Sequence, residues 1–509
     1  MTEMTERQEQ DDVSTPVEET FDVVVVGGGP GGSALAGLVA KQGHRVLLLE
    51  KERFPRYQIG ESLLPATVHG VCGLLGVADE IEAMGFTPKL GGTFRWGSSP
   101  EPWSFVFALS PRLAGPTSRA YQVERMKFDE ILLRHAGKLG VDVREECSVT
   151  RVLEEGDRVN GVEYTDAEGT ARIARAQFVV DASGNRSRIN KAVGGERVYS
   201  EFFQNVALFG YFEGGERLPE PRSGNIFCEA FSDGWFWYIP LAPGLTSVGA
   251  VVSRESAAAV QGDPVQALER LITKAPRIGK MLEGVPRVTE GVYGEVRVRK
   301  DYSYLNTSFW RPGMVLIGDA ACFIDPVFSS GVHLATYSAL LAARSINSVL
   351  AGELDEDVCF TEFEQRYRRE YGVFYEFLVA FYDTHKDADS YYWQAKKVAA
   401  TSESDLQCFV ELVGGVSSGE SAFVDADSTR QRFERTASAL EQGVGAVNSS
   451  GGEDALPLYK SELIGDLMDQ SVEMQAKAAF GSEYDSERPL FDGGLVPSPD
   501  GLSWARPAE

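Results

Sequence analysis

The chain has 509 residues, and its 49 basic against 75 acidic side chains leave a formal net charge of -26. That balance disfavours nucleic acid or an anionic membrane as a general partner, and no apolar run approaches the ~18 residues of a membrane span. Hydrophobic residues at 43% and aromatics at 10% describe a globular chain able to bury a large core. Residues 1–20 lack the apolar core of a signal peptide and the basic pattern of a transit peptide, and read as a disordered acidic arm. The six cysteines form no CxxC pair and the five histidines are dispersed, so no metal site is expected and a reducing cytoplasm is the default location.

"FDVVVVGGGPGGSALAGLVAKQGHRVLLLEK" carries the first strong signal. Val23 to Val26 is a β-branched run suited to a strand buried on both faces. Gly27, Gly29 and Gly32 satisfy GxGxxG, a helical pattern follows, and a second strand from Arg45 to Leu49 ends in Glu50. Together these predict a βαβ unit with a pyrophosphate at the helix N-terminus and a ribose on Glu50.

"MGFTPKLGGTFRWG" holds Lys89 with no acidic residue within four positions on either side. Alone, that is an ordinary exposed lysine. "YQVERMKFDEILLRHA" then sets Arg125 at the start of an amphipathic helix, with inward positions at Phe128, Ile131, Leu132 and His135. "FVVDASGNRS" is a buried strand, Phe178 to Val180, closing on Asp181 and Gly184. Residues 204–298 alternate as strands of an antiparallel sheet, interrupted by the helical "PVQALERLITKAP". Within them "SDGWFWYIPLAPG" puts Trp235 and Trp237 on one strand face, either as a core pair or as a wall. "GMVLIGDAACFIDPVFSSGVHLATYSALLAA" predicts a strand from Met314 to Ile317, then Gly318-Asp319, a turn, and a helix from about Gly331. Beyond Gly352 an aromatic-rich helical stretch leads to a Gly- and Ser-rich flexible segment near 414–454 and one last helix.

Taken together, GxGxxG, the arginine ahead of its helix, the DxxG strand end and the late Gly-Asp pair resemble the aromatic-hydroxylase-like flavoprotein superfamily. The resemblance implies an α/β (α+β) fold: a Rossmann-like FAD-binding domain with an antiparallel substrate-side sheet and a helical C-terminal region. The expected parts are the arm at 1–20, the FAD-binding domain at 21–203 and 299–350, the sheet at 204–298 and a helical lid at 351–509. By the same resemblance Gly27, Gly29, Gly32, Glu50, Arg125, Asp181, Gly184, Gly318 and Asp319 line FAD. Asp319 can also serve as an N-cap.

Trp235, Trp237, Ile239 and Pro240 match the WxWxIP motif of flavin-dependent halogenases. The lysine segment resembles the branch that includes the chondrochloren and enediyne β-tyrosine halogenases. This implies FAD used as FADH2 from a separate flavin reductase, with chloride as co-substrate. In the family a flavin C4a-hydroperoxide oxidises chloride to hypochlorous acid, which travels to the lysine, here Lys89, and is hydrogen-bonded there or held as a chloramine. Trp235 and Trp237 become the barrier between flavin and substrate. The halide site falls on the backbone of Ser330 and Gly331, at a helix entrance where free N–H groups favour an anion. Tryptophan halogenases carry a glutamate where this chain has Phe328, which argues for a ring richer in electrons than indole, such as a phenol. His333, two residues beyond Gly331, is expected in helix packing.

The branch also implies a substrate tethered to an acyl or peptidyl carrier protein. Arg366, Arg368, Arg369, Lys396 and Lys397 are the candidate docking patch, or simply a solvated helix face. Two other readings stay open on sequence: an FAD monooxygenase hydroxylating the same kind of ring, and a flavin-binding protein without catalysis.

Overall fold

The computed structural model describes residues 17–96, 101–109, 115–300, 302–386, 489, 491 and 493–507. The first sheet grows from the predicted βαβ unit. Strand Val17–Val26 pairs in parallel with Val46–Leu49 on one side and with Ala171–Asp181 on the other. Met314–Leu316 and Asp142–Arg144 extend the parallel order at either flank. Val23 to Val25 and Leu47 to Leu48 have no exposed surface, as parallel strands covered by helices on both faces require.

Gly32 sets how closely the helix Pro30–Ala40 approaches its strand. A Cβ on Gly32 would lie 1.9 Å from the Gly27 carbonyl oxygen, so no larger residue fits. On the far side of that helix lies Ser330–Leu350, an alanine-rich helix whose Ala335 carbonyl oxygen would stand 3.0 Å from a Cβ on Gly31. The next helix, Glu356–Lys386, ends the described part of the C-terminal region, apart from a short hairpin of Val496–Pro497 with Trp504–Ala505. Among the described residues no helix is long and apolar enough to cross a membrane.

The first strand begins earlier than the sequence suggests. Val17 to Thr20, expected in the acidic arm, lie in ladder register with Arg172 to Arg175. The acidity has a local use there, since Glu18 pairs with Arg175 at 3.0 Å and Glu19 with Arg144 at 2.6 Å. Residues 1–16, the segment near 414–454 and the expected last helix lie outside the described residues.

The second sheet contains the four strands predicted between 204 and 253 and three more. Its order is Arg297–Lys300, Asn205–Glu213, Leu245–Ser253, Gly234–Pro240, Ile226–Phe231, Gly91–Arg95 and Trp103–Val106. It is mixed, not purely antiparallel, because Gly91–Arg95 pairs in parallel with Ile226–Phe231. The physical reason is that the lysine segment leaves a two-strand pair, Thr87–Lys89 with Ala120–Gln122, and enters this sheet directly. Strand alternation divides the WxWxIP strand between two cores. Trp235, Trp237 and Ile239 face the main core, whereas Phe236 and Tyr238 face a second one closed by helices Pro264–Ile272 and Pro276–Met281.

Gly249 lets Trp237 lie flat against the sheet: a Cβ there would stand 2.3 Å from the indole ring and 2.5 Å from Phe209 Cβ. Gly249→Ala should therefore destabilise the fold by about 1–3 kcal/mol. The measurement is a denaturant midpoint for both proteins, with an unchanged midpoint as the contrary result.

Candidate active site

A cavity of about 580 Å³ lies where the two sheets meet, a size suited to a small molecule or cofactor. The parallel strands deliver their carboxyl ends to it through Val26, Leu49, Ala182 and Ile317, as ligand sites in open α/β sheets do. The other wall is Ala207, Phe209, Trp235 and Trp237 from the second sheet.

The glycine turn is shaped for a backbone-lined ligand. Gly27 adopts φ +106°, and a Cβ on it would lie 2.6 Å from the Ala182 carbonyl oxygen. Gly27, Gly29 and Gly31 line the cavity ahead of the helix Pro30–Ala40, the arrangement that receives a pyrophosphate. Glu50 lines it too, with Oε2 accepting from Gly28 N–H at 2.7 Å and Oε1 from Glu52 N–H at 2.8 Å. Arg125 is buried against Asp129 at 2.7 Å and donates to the Ile59 carbonyl at 2.6 Å. Gly184, Gly318 and Asp319 complete this set. Burial raises the Asp319 carboxyl to about 6, against the pull of Arg125 and Arg197. These donors and acceptors fit FAD.

Two expected contacts stand behind the cavity wall. Gly32 packs on Gly27, as described above. Asp181 is buried and accepts from the Ser183 N–H and both Ser183 and Ser187 hydroxyls, so its carboxylate organises the 182–187 turn and does not line the cavity.

Lys89 is the unusual cation. Only 2% of it is exposed, and its Nζ donates to the Leu63 carbonyl at 2.9 Å and to Ser329 Oγ at 3.4 Å. The Phe107 ring lies 5.5 Å away. Burial pushes its amine down to about 7. Ser329, itself part of the cavity wall, sits at φ +62°, a left-handed conformation uncommon for a residue with a Cβ. Lys89 and the flavin cavity thus meet at one serine.

The two tryptophans form a continuous wall, with ring centroids 6.1 Å apart. Both indole N–H groups are engaged: Trp235 donates to Tyr382 Oη at 2.5 Å, and Trp237 to Ser247 Oγ at 3.2 Å. Neither has a free group for acid–base work. Tyr382 passes the contact on to Asp325 at 3.0 Å.

The turn before Ser330–Leu350 holds the remaining candidates. Gly331 lines the cavity, and Ser330 is buried with its hydroxyl lacking a partner among the described residues. Phe328 packs on Phe381 at 4.6 Å and Phe94 at 5.6 Å, an apolar cluster next to the lysine segment. His333 is paired with buried Glu370 at 2.7 Å and stacked on Tyr337, in keeping with packing.

Among the described residues of the expected basic docking patch, the arginines are buried or paired. Arg366 and Arg369 are each only 6% exposed. Arg366 pairs with Glu362, donates to the Leu495 carbonyl at 2.8 Å and covers Trp504. Arg368 pairs with Glu364 and covers Phe309. Arg366 and Arg368 fasten the helix to neighbouring segments, and Lys396 and Lys397 lie outside the described residues. Sequence reasoning also passed over Glu61, Tyr57 and Tyr211. The signal available for Glu61 was a single acid in the otherwise apolar "IGESLLP".

The βαβ turn, the cavity at the strand ends and the tryptophan wall define a flavoprotein that binds FAD. The tryptophan halogenase family model matches residues 22–115 and 110–438. Tryptophan 2-halogenase of Chondromyces crocatus is 36% identical over 405 residues, 77% of this chain and 75% of that one. Among solved structures, the myxobacterial chondrochloren halogenase CndH aligns with a TM-score of 0.73 at 55% identity, covering 96% of this chain and 100% of that one. Flavin-dependent brominase Bmp2 aligns with a TM-score of 0.69 at 28% identity, covering 82% and 98%. The chain therefore belongs to the tryptophan halogenase family and is an FAD-dependent halogenase, which leaves neither the hydroxylase nor the flavin-carrier reading.

The lowered Lys89 amine has a consequence for stability. Below about pH 7 both folded and unfolded lysine are protonated, and the fold bears the full cost of the buried charge. Above it the folded amine loses its proton while the unfolded one keeps it, so stability from this group rises with pH. Lys89→Met should be more stable than wild type near pH 7, and the gap should narrow toward about pH 9. Matched urea titrations check this; a gap that stays constant with pH is the contrary result.

Proposed function

We propose that the protein chlorinates an electron-rich aromatic acyl group, phenolic and carried as a thioester on a carrier protein, in natural-product biosynthesis. The observation that supports this most is the buried Nζ of Lys89, joined through Ser329 to the wall of the FAD cavity. A separate flavin reductase delivers the FADH2. Reduced FAD, oxygen and chloride together supply hypochlorous acid.

On this reading Gly27, Gly29, Glu50, Arg125, Gly184, Gly318 and Asp319 hold FAD, with Gly32 and Asp181 shaping the turns behind them. The backbone of Ser330 and Gly331 receives chloride at the start of a 21-residue helix, where N–H groups and the helix dipole favour an anion. Trp235 and Trp237 keep the aromatic substrate away from the flavin, so the oxidant meets halide before it meets the ring. Lys89 then holds the electrophilic chlorine. Its ammonium form donates hydrogen bonds, and an amine near 7 also offers a lone pair at neutral pH. Phe328 stands where a carboxylate would steady a cationic indole. A phenol needs no such help, since its own oxygen releases electron density into the ring.

Lys89→Ala should abolish ring chlorination, a loss of at least 100-fold (about 2.7 kcal/mol in the barrier), while the protein still consumes FADH2 and oxygen. Product mass spectrometry run alongside flavin oxidation measures both, and chlorination at the wild-type rate would remove Lys89 from the mechanism. For the tether, one phenolic acid is compared free and as its carrier thioester under identical reduced flavin and chloride. Turnover of the thioester is expected; equal turnover of the free acid counts against the carrier.

A further inference from the structure

Glu61 lines the cavity although only 2% of it is exposed. Tyr211 Oη donates to its Oε1 at 2.7 Å and shares a 2.8 Å hydrogen bond with Tyr57 Oη. Ser247, which lowers the Glu61 carboxyl, accepts from Trp237 Nε1 at 3.2 Å, and this sets Glu61 near the tryptophan wall. The second oxygen, Oε2, is buried without a partner among the described residues. A carboxylate left in that state would carry unsolvated charge, a far larger cost than that of a neutral acid. Protonation turns the orphan oxygen into a donor. What it needs is an acceptor in the cavity.

We propose that Glu61 meets FAD as the neutral acid and donates its Oε2 proton to an acceptor atom of the flavin, with Tyr211 and Tyr57 linking that proton to the outer cavity. This rests on FAD occupying the cavity. The surroundings agree with the assignment. Burial lifts Glu61 to about 7, with Glu124 raising it further, while Tyr211, Ser247 and Arg125 lower it. Tyr57, Tyr211 and Tyr293 are all raised by burial and by the nearby acids, so they stay neutral and can pass a proton without storing one. Arg297 covers the Tyr57 ring at 3.9 Å, and Arg299 lines the cavity beside it. Asp319, the other raised acid in the cavity wall, has its own transition about one pH unit lower.

The test is binding of oxidised FAD to the flavin-free full-length protein, followed by flavin fluorescence quenching across pH. Wild type should bind tightly below about pH 7 and lose about tenfold in affinity per pH unit above it. Glu61→Gln keeps a donor at the same place, so it should bind tightly with this transition gone, while the lower one from Asp319 remains. Tyr211→Phe removes a hydrogen bond that favours the carboxylate, so the transition should move to higher pH. A Glu61→Gln protein that keeps the wild-type transition, or a Tyr211→Phe protein with the transition unmoved, would overturn the proposal. If Glu61→Gln does not fold, as judged by circular dichroism, the Tyr211→Phe shift alone decides. Failure of wild type to bind FAD at any pH would instead count against the cofactor assignment.

Discussion

The burial of one ammonium group constrains the whole site. Lys89 gives up nearly all its water and receives in return one backbone carbonyl and one serine hydroxyl. Among the described residues no carboxylate answers it, so the surrounding structure favours the neutral amine. That environment requires a dry apolar shell, which Phe94, Phe107, Phe328 and Phe381 provide. It also requires a rigid mount, found in the pairing of Lys89 with Ala120 and the direct entry of the chain into the second sheet.

The same dry seam pushes acids and the base toward a common range from opposite sides. Glu61, Asp319 and Asp325 are raised to about 7, 6 and 6, while Lys89 is lowered to about 7. One cause, desolvation of charge, thus brings several groups near the neutral range where their protons can move. Hydrogen bonds then set what each acid can do. Asp181, with its carboxylate occupied by two serines, is structural. Glu61 keeps one oxygen without a partner among the described residues.

Register decides which side of the wall each group serves. Because strand residues alternate, the WxWxIP segment sends two indoles and Ile239 toward the cavity core and Phe236 and Tyr238 toward a separate core. A one-residue slip would exchange them. Gly249 prevents that slip from being tolerated, since only a residue without Cβ leaves room for the Trp237 ring. The indole N–H groups, bound to Tyr382 and Ser247, then lock the wall at both ends.

Features governed by local rules were legible in the amino-acid order. The glycine turn announces itself because only glycine tolerates φ +106° and a 1.9 Å approach of backbone to a missing Cβ. The strands at 205–213, 226–231, 234–240 and 245–253 followed from hydrophobic alternation, and the helix at Ser330 began within one residue of its expected start. Features that depend on a distant partner were not legible. Arg366 reads as a helix-surface charge until Leu495 and Trp504, more than a hundred residues on, come to cover it. Val17 to Thr20 read as a loose acidic tail until Arg144 and Arg175 arrive beside them. Glu61 looks like any acid in a turn until two tyrosine hydroxyls and a cavity come to it. Periodicity and backbone sterics act between neighbours in sequence, so the chain alone determined the nucleotide fold and put the two tryptophans on one strand face. Desolvation acts through whatever packs nearby in space, so only the tertiary structure decided which charges are buried, which are paired, and which hold a proton.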